Sequence, residues 1–202
     1  MDRVNQAVVL CGGLGERLRP LTENLPKPLA PVGGRPFLEY LICQLRDQHL
    51  ESVVLLTGYY GEMIQDYFGD GAGFGVQIDY SSGPVEWDTG RRIWEARELL
   101  CSRFLLLYSD NYVPVNVKKL QSVHLAASNA LTLFLHKKEN GNVRLDGEGN
   151  VELYDRTRSK RDLNYVEVGY MIVERDRMLN VYEDPDVSFS HILEKLVTSE
   201  PV

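Results

Sequence analysis

Three short stretches of the chain are apolar without alternation: Ala7 to Cys11, Val53 to Leu56 and Phe104 to Leu107. Unbroken apolar runs of strand length suit parallel strands covered on both faces, because a half-exposed strand alternates. Between them the apolar positions recur at helical spacing. Phe37, Leu38, Leu41, Ile42 and Leu45 form one stripe. Pro36 is placed to open it, since a helix start leaves unbonded the donor that proline lacks. Met63, Ile64 and Phe68 predict a shorter helix, and Ile93, Ala96, Leu99 and Leu100 another. This order predicts a Rossmann-like α/β fold: a mixed, mainly parallel sheet with helices on both faces.

Beyond Asn129 the pattern changes. Ala130 to His136 reads as a strand. Val143 to Leu145 and Val151 to Tyr154 flank a turn of Asp146, Gly147, Glu148, Gly149 and Asn150, a hairpin signal. Glu167 to Val173 reads as another strand, and Ser188 as the cap of a helix running through Lys195. Gly69 to Gly75 reads as a connection into a strand from Val76 to Tyr80. One domain is expected over residues 1–202, with a nucleotide-binding-like half to about residue 128 and a mixed half from about 129.

Composition narrows the partners. The 202 residues carry 22 Lys and Arg against 29 Asp and Glu, a net charge of -7. A general nucleic-acid surface should be basic, so none is expected. Local fields still permit one small anionic ligand. Cys11, Cys43 and Cys101 are far apart and odd in number, without a CxxC pair, which suggests neither a disulfide framework nor a zinc site. A reducing, cytoplasmic setting fits. No apolar run reaches membrane-spanning length, so no membrane partner is expected. Homo-oligomerisation is left open.

The candidate chemistry begins directly after the first apolar run, at Leu10-Cys11-Gly12-Gly13-Leu14-Gly15-Glu16-Arg17-Leu18. Glycines let backbone N–H groups converge on a phosphate, and Arg17 adds a cationic fork suited to its oxygens. A dinucleotide loop would need a third glycine where Leu18 stands, and no GxxxxGK[ST] is present. Downstream, Pro26 and Pro28 frame Lys27, fixing the backbone that aims its ammonium.

These two motifs resemble the signature of the nucleoside-diphospho-sugar pyrophosphorylases, the sugar-1-phosphate nucleotidyltransferases. The continuation Ala30-Pro31-Val32-Gly33-Gly34-Arg35-Pro36-Phe37-Leu38-Glu39-Tyr40 is most similar to the D-glycero-D-manno-heptose 1-phosphate guanylyltransferase branch. The resemblance implies a GT-A-like nucleotidyltransferase fold. Leu10, Gly12, Gly13, Gly15, Glu16 and Arg17 would then hold the triphosphate, with Glu16 in place of the more usual threonine, and Lys27 would lie near the phosphates undergoing transfer. Thr89 and Gly90, in Asp88-Thr89-Gly90-Arg91-Arg92, stand where the family lines the nucleobase, although Arg91 replaces a common glycine. An ordinary helix start capped by Asp88 or Thr89 is the alternative.

Asp110 follows the third apolar run, at the strand end where open α/β sheets bind ligands. It resembles the family's magnesium-binding aspartate, and magnesium is commonly held by one or two carboxylates plus substrate phosphates. Asp155-Arg156 resembles the family's Glu-Lys pair, which implies that Arg156 contacts the sugar phosphate. Arg158, Lys160 and Arg161 read as a solvated basic loop. Glu167 and Gly169 fall in a strand resembling the wall of the sugar pocket, with Glu167 accepting sugar hydroxyls. Gly169 either admits the sugar closely or marks a bulge.

The implied reaction joins a nucleoside triphosphate, GTP favoured, to a sugar 1-phosphate and releases pyrophosphate, with Mg2+ as cofactor and Arg17, Lys27 and Asp110 as catalytic residues. The product would be GDP-heptose or a related nucleotide sugar for surface glycans. The family pattern continues past residue 202 to a second metal-binding carboxylate, so the chain is expected to lack the family's C-terminal end. A non-catalytic nucleotide-sugar-binding or regulatory subunit, or a truncated domain of a larger enzyme, is the alternative.

Overall fold

A computed structural model describes residues 3–202. The first strand, β1 (Gln6–Cys11), is buried along its whole length. A two-stranded ribbon, β2 (Pro31–Val32) and β3 (Arg35–Pro36), leads into α1 (Phe37–Asp47), with Pro36 at the helix N-cap. Then come β4 (Ser52–Thr57), α2 (Gly61–Phe68), β5 (Gln77–Ser82), α3 (Thr89–Glu95) and β6 (Arg103–Tyr108). These give parallel pairings of β1 with β4 and β6, and of β4 with β5. The three apolar runs thus become adjacent parallel strands.

The second half adds α4 (Val117–Ala127), β7 (Leu131–Lys137), β8 (Val143–Leu145), β9 (Val151–Tyr154), β10 (Tyr165–Glu174), α5 (Arg175–Leu179) and α6 (Phe189–Ser199). β10 lies antiparallel beside β6 and also pairs with β7 and β8. One eight-stranded sheet results, in the order β5-β4-β1-β6-β10-β8-β9, with β7 on β10. The predicted hairpin is present as β8 and β9.

Strand residues divide by parity between two cores. Val9, Leu55, Leu107 and Ile172 pack with Leu41, Leu45 and Ile64 of α1 and α2. Val8, Leu56, Leu106 and Met171 pack with Ile93 of α3 and Phe189, Ile192 and Leu196 of α6. Both sheet faces are therefore covered, which explains the unbroken apolar runs.

Several expectations need adjustment. The helix read over Ile93–Leu100 stops at Glu95, and a single tighter turn, Arg97–Leu99, follows. The strand read from Val76 runs instead from Gln77 to Ser82. Helices α4 and α5 were not anticipated. Ser188 holds the N-cap position of α6 without bonding it through its side chain. That role falls to Thr89, whose Oγ1 accepts the Phe189 N–H at 2.7 Å.

Candidate active site

The C-terminal ends of β1, β4, β5 and β6 lie together, as parallel pairing requires. The glycine loop leaves β1 there. Gly15 has φ +65°, and a Cβ on it would lie 2.9 Å from the Lys27 Cβ, so glycine is needed both for the turn and for the close approach. Gly13 has open space around it. Thr22 Oγ1 donates to Gly15 O at 2.8 Å and steadies the far side of the loop. Glu16 pairs loosely with Arg19 at 3.7 Å.

Lys27 begins a single tight turn, Lys27–Leu29, entered from Pro26 and held by the Pro26 carbonyl accepting the Leu29 N–H at 2.9 Å. Pro28 and Leu29 are buried, so the turn is anchored and the lysine is presented outward. Its Nζ donates to Asp110 Oδ2 at 2.6 Å. The loop bearing Asp110 is fixed twice over: Ser109 N donates to Leu10 O at 3.3 Å, and the Asn111 side chain donates to Val168 O at 3.3 Å. Residues 83 apart in sequence thus form one ion pair at the mouth of a cleft of about 240 Å³.

Leu10, Gly12, Gly13, Lys27, Trp87, Asp88, Thr89, Tyr108 and Asp110 are among the residues lining that cleft. A second groove of about 290 Å³ shares Gly13 and Lys27 with it and adds Gly15, Glu16 and Arg17. Arg17 is exposed in this groove. Gly13 and Lys27 thus line both spaces. Cys11 lies behind the loop, where burial pushes its thiol up to about 12; it stays protonated and is no nucleophile.

The residues expected at the nucleobase divide. Thr89 faces the cleft, and Asp88 caps α3 by accepting the Thr89 N–H at 2.7 Å. Gly90 does not line the cleft. A Cβ there would meet Val187 O at 2.3 Å, so this glycine lets α3 dock on the segment before α6. Arg91 is not in the cleft lining either: it pairs with Glu95 at 2.7 Å and Asp186 at 3.2 Å, and its guanidinium lies 5.4 Å from the ring centre of Trp87. Arg92, unremarked as a site residue in the sequence, is buried against the glycine loop.

The residues expected at the sugar also divide. Asp155 is buried and accepts hydrogen bonds from Thr157, Ser159 and Lys160, organising the loop after β9; these bonds hold its carboxyl well below the usual range. Arg156 is engaged by Glu194 through both its backbone N–H at 3.0 Å and its Nε at 3.1 Å, outside the cleft lining. Gly169 has φ +79° at the register shift of β10, and a Cβ there would meet the Tyr108 ring at 2.7 Å. The bulge explains this glycine, and Tyr108 occupies the space beside it.

Glu167 keeps a buried Oε2 with no hydrogen-bond partner among the described residues. Burial is the main cause pushing its carboxyl up to about 6, opposed by the Gly169 N–H and the Arg158 charge. An orphaned acceptor of this kind costs stability unless a ligand donates to it.

Among the described residues no three His, Cys, Asp or Glu side chains group as a metal site. Asp110 alone fits the mode in which magnesium takes one carboxylate and completes its shell from phosphates and water. Its Oδ2 meets Lys27, while its other oxygen takes no hydrogen bond among the described residues.

A glycine loop, a lysine–aspartate pair and a cleft lie together at the strand ends. The family model described as Nucleotidyl transferase matches residues 6–175, and the chain belongs to that family. It is 37% identical over 131 residues to the D-glycero-alpha-D-manno-heptose 1-phosphate guanylyltransferase of Aneurinibacillus thermoaerophilus, covering 64% of this chain and 56% of that protein. The protein of the same name from Campylobacter jejuni subsp. jejuni serotype O:2 is 35% identical over 116 residues, or 57% and 52% of the two chains. These matches span about half the length of the curated relatives. The crystal structure of HddC from Yersinia pseudotuberculosis complexed with GMP-PN shares the fold, with a TM-score of 0.76 at 23% identity over 93% of this chain and 84% of that one. No helix among the described residues is long and apolar enough to cross a membrane.

Proposed function

We propose that this chain transfers a nucleotidyl group from a nucleoside triphosphate to a sugar 1-phosphate, with GTP and a heptose 1-phosphate as the favoured pair. The observation that carries this reading is the Lys27–Asp110 pair at 2.6 Å, both residues of which line the cleft while Lys27 also lines the groove of the glycine loop. The names of the two heptose 1-phosphate guanylyltransferases and the GMP-PN complex of HddC support the choice of guanine and heptose.

A sugar phosphate oxygen attacks the α-phosphorus, the new P–O bond forms, and the bond to the β-phosphate bridging oxygen breaks. Pyrophosphate leaves with that electron pair. The nucleophile is already anionic, so no general base is required. The barrier is repulsion between polyanions, and catalysis rests on alignment and charge. Arg17 binds the triphosphate in its groove, Lys27 stabilises charge on the phosphates in transfer, and Thr89 lines the base side of the cleft. Glu167 accepts a hydroxyl of the sugar. Asp110 would hold Mg2+, which when bound supplies further charge neutralisation at the phosphates.

The test is pyrophosphate release with magnesium across a grid of nucleoside triphosphates and sugar 1-phosphates. Release that needs both substrates and stops with EDTA supports the reading. Nucleotide binding without release in any pairing refutes it and assigns the chain to a nucleotide-sugar-binding or regulatory role.

A further inference from the structure

Arg92 is 4% exposed, yet its acceptors among the described residues are all backbone carbonyls. Nη1 donates to Thr57 O at 2.6 Å. Nη2 donates to Pro84 O at 2.8 Å and lies 3.3 Å from Gly12 O and 3.5 Å from Val85 O. One side chain of α3 therefore joins three separate segments: the glycine loop after β1, the end of β4, and the loop after β5.

The neighbouring glycines are shaped around it. A Cβ on Gly12 would lie 2.3 Å from the Arg92 Cζ, and one on Gly58 would lie 2.6 Å from its Nη2. A guanidinium remains charged under all ordinary conditions, and carbonyl dipoles solvate that charge without cancelling it; the Asp88 and Glu86 carboxylates act on it electrostatically, but neither hydrogen-bonds to it among the described residues. The planar fork also fixes directions that a single ammonium cannot. The positive charge lies in the wall of the cleft proposed for the nucleotide.

We infer that Arg92 is a positioning residue for the nucleotide: it locks the glycine loop, which also lines the groove of Arg17, to the base-side loop at a fixed spacing, and its charge adds to the field in the cleft wall. This rests on the nucleotide-binding reading above. In that arrangement Gly12 serves the guanidinium, while Gly13, with open space around it, is the glycine free to approach phosphate.

The experiment is calorimetric binding of magnesium GTP to the whole chain, which does not depend on turnover. Arg92→Lys keeps the charge but loses the fork, and Arg92→Gln keeps two donors but loses the charge. With folding checked by thermal melts, both should weaken nucleotide binding by about tenfold or more, the scale of a lost charged hydrogen bond. The KM for sugar 1-phosphate should change by less than about threefold on that same scale. In the unaltered chain, magnesium GTP should slow hydrogen exchange of residues 12–13, 57–58 and 85–86 together. A folded variant that binds GTP like the parent, an equal loss for both substrates, or independent exchange of the three segments overturns the inference. Absence of any nucleotide binding by the unaltered chain overturns both it and the functional reading.

Discussion

Replacing Glu167 by glutamine should reveal what the orphaned carboxylate costs. In the folded chain its carboxyl is pushed up to about 6 from an ordinary 4.5, chiefly by burial, with a smaller push from the Asp110 charge and opposing pulls from the Gly169 N–H and Arg158. A displacement of that size corresponds to about 2 kcal/mol. Below 4.5 the group is protonated in both folded and unfolded chains. As the pH rises through that value the unfolded chain loses the proton first, while the folded chain retains it until about 6. Stability contributed by the proton is thus whole below 4.5 and lost as pH rises through 6.

Glu167→Gln does not titrate, so it should be spared this loss. Between about pH 4 and about pH 7.5, the stability difference should move by about 2 kcal/mol in favour of the variant. In a domain of this size that is about 4–8 °C in Tm. Urea titrations of both chains at four or five pH values measure it, and subtracting one from the other removes every titration they share. Parallel curves for the two chains would show that Glu167 ionises normally, and the picture of a strained, ligand-seeking carboxylate would fail. If the carboxylate is kept for the sugar, the same variant should raise the KM for sugar 1-phosphate about tenfold and leave that for the nucleotide unchanged.

Lys27→Ala and Asp110→Asn should each lower turnover by at least about 100-fold, the usual scale for a lost transition-state contact; near-normal pyrophosphate release in both would remove their assigned roles. Thr89→Val deletes the acceptor of the Phe189 N–H and should destabilise the chain by about 1 kcal/mol. An unchanged Tm would mean that α6 finds another cap.

The elements legible in the sequence were those whose signal is local. The runs at Ala7, Val53 and Phe104 could be read because strands covered on both faces have no polar alternation to obscure them. Helix α4 was hidden for the opposite reason. Its buried positions are Val117, Leu120 and His124, while Val123 is 53% exposed, so the apolar stripe is interrupted by an inward histidine and blurred by an outward valine. His124 is accommodated by Thr132 at 2.8 Å and Glu174 at 2.9 Å, partners that no helical pattern in the sequence reveals. The placement of β10 beside β6 was equally invisible, since both strands are apolar and their pairing is a choice made by the whole sheet.

The same distinction decides the site. The glycine loop and the Pro26-Lys27-Pro28 turn carry their chemistry in contiguous residues, so their type could be read before their position. Asp110 could be placed because a carboxylate at the end of a buried parallel strand has few other locations. Arg156 was legible only as a local resemblance, and its pairing with Glu194, 38 residues away, is not written in the motif that carries it. Arg92 is the converse. Nothing local separates the two adjacent arginines at the start of α3, and only carbonyls 35 and 80 residues away draw one of them inside. Arg91 pairs with Glu95 and Asp186 while Arg92 turns inward, although the two are neighbours in sequence. On a helix, successive side chains point about 100° apart, so one residue of such a pair can meet solvent-side carboxylates while the next enters the site. The residues that define a cleft by chemistry are therefore easier to find from sequence than those that define its shape, because the latter act through backbone atoms that every residue possesses.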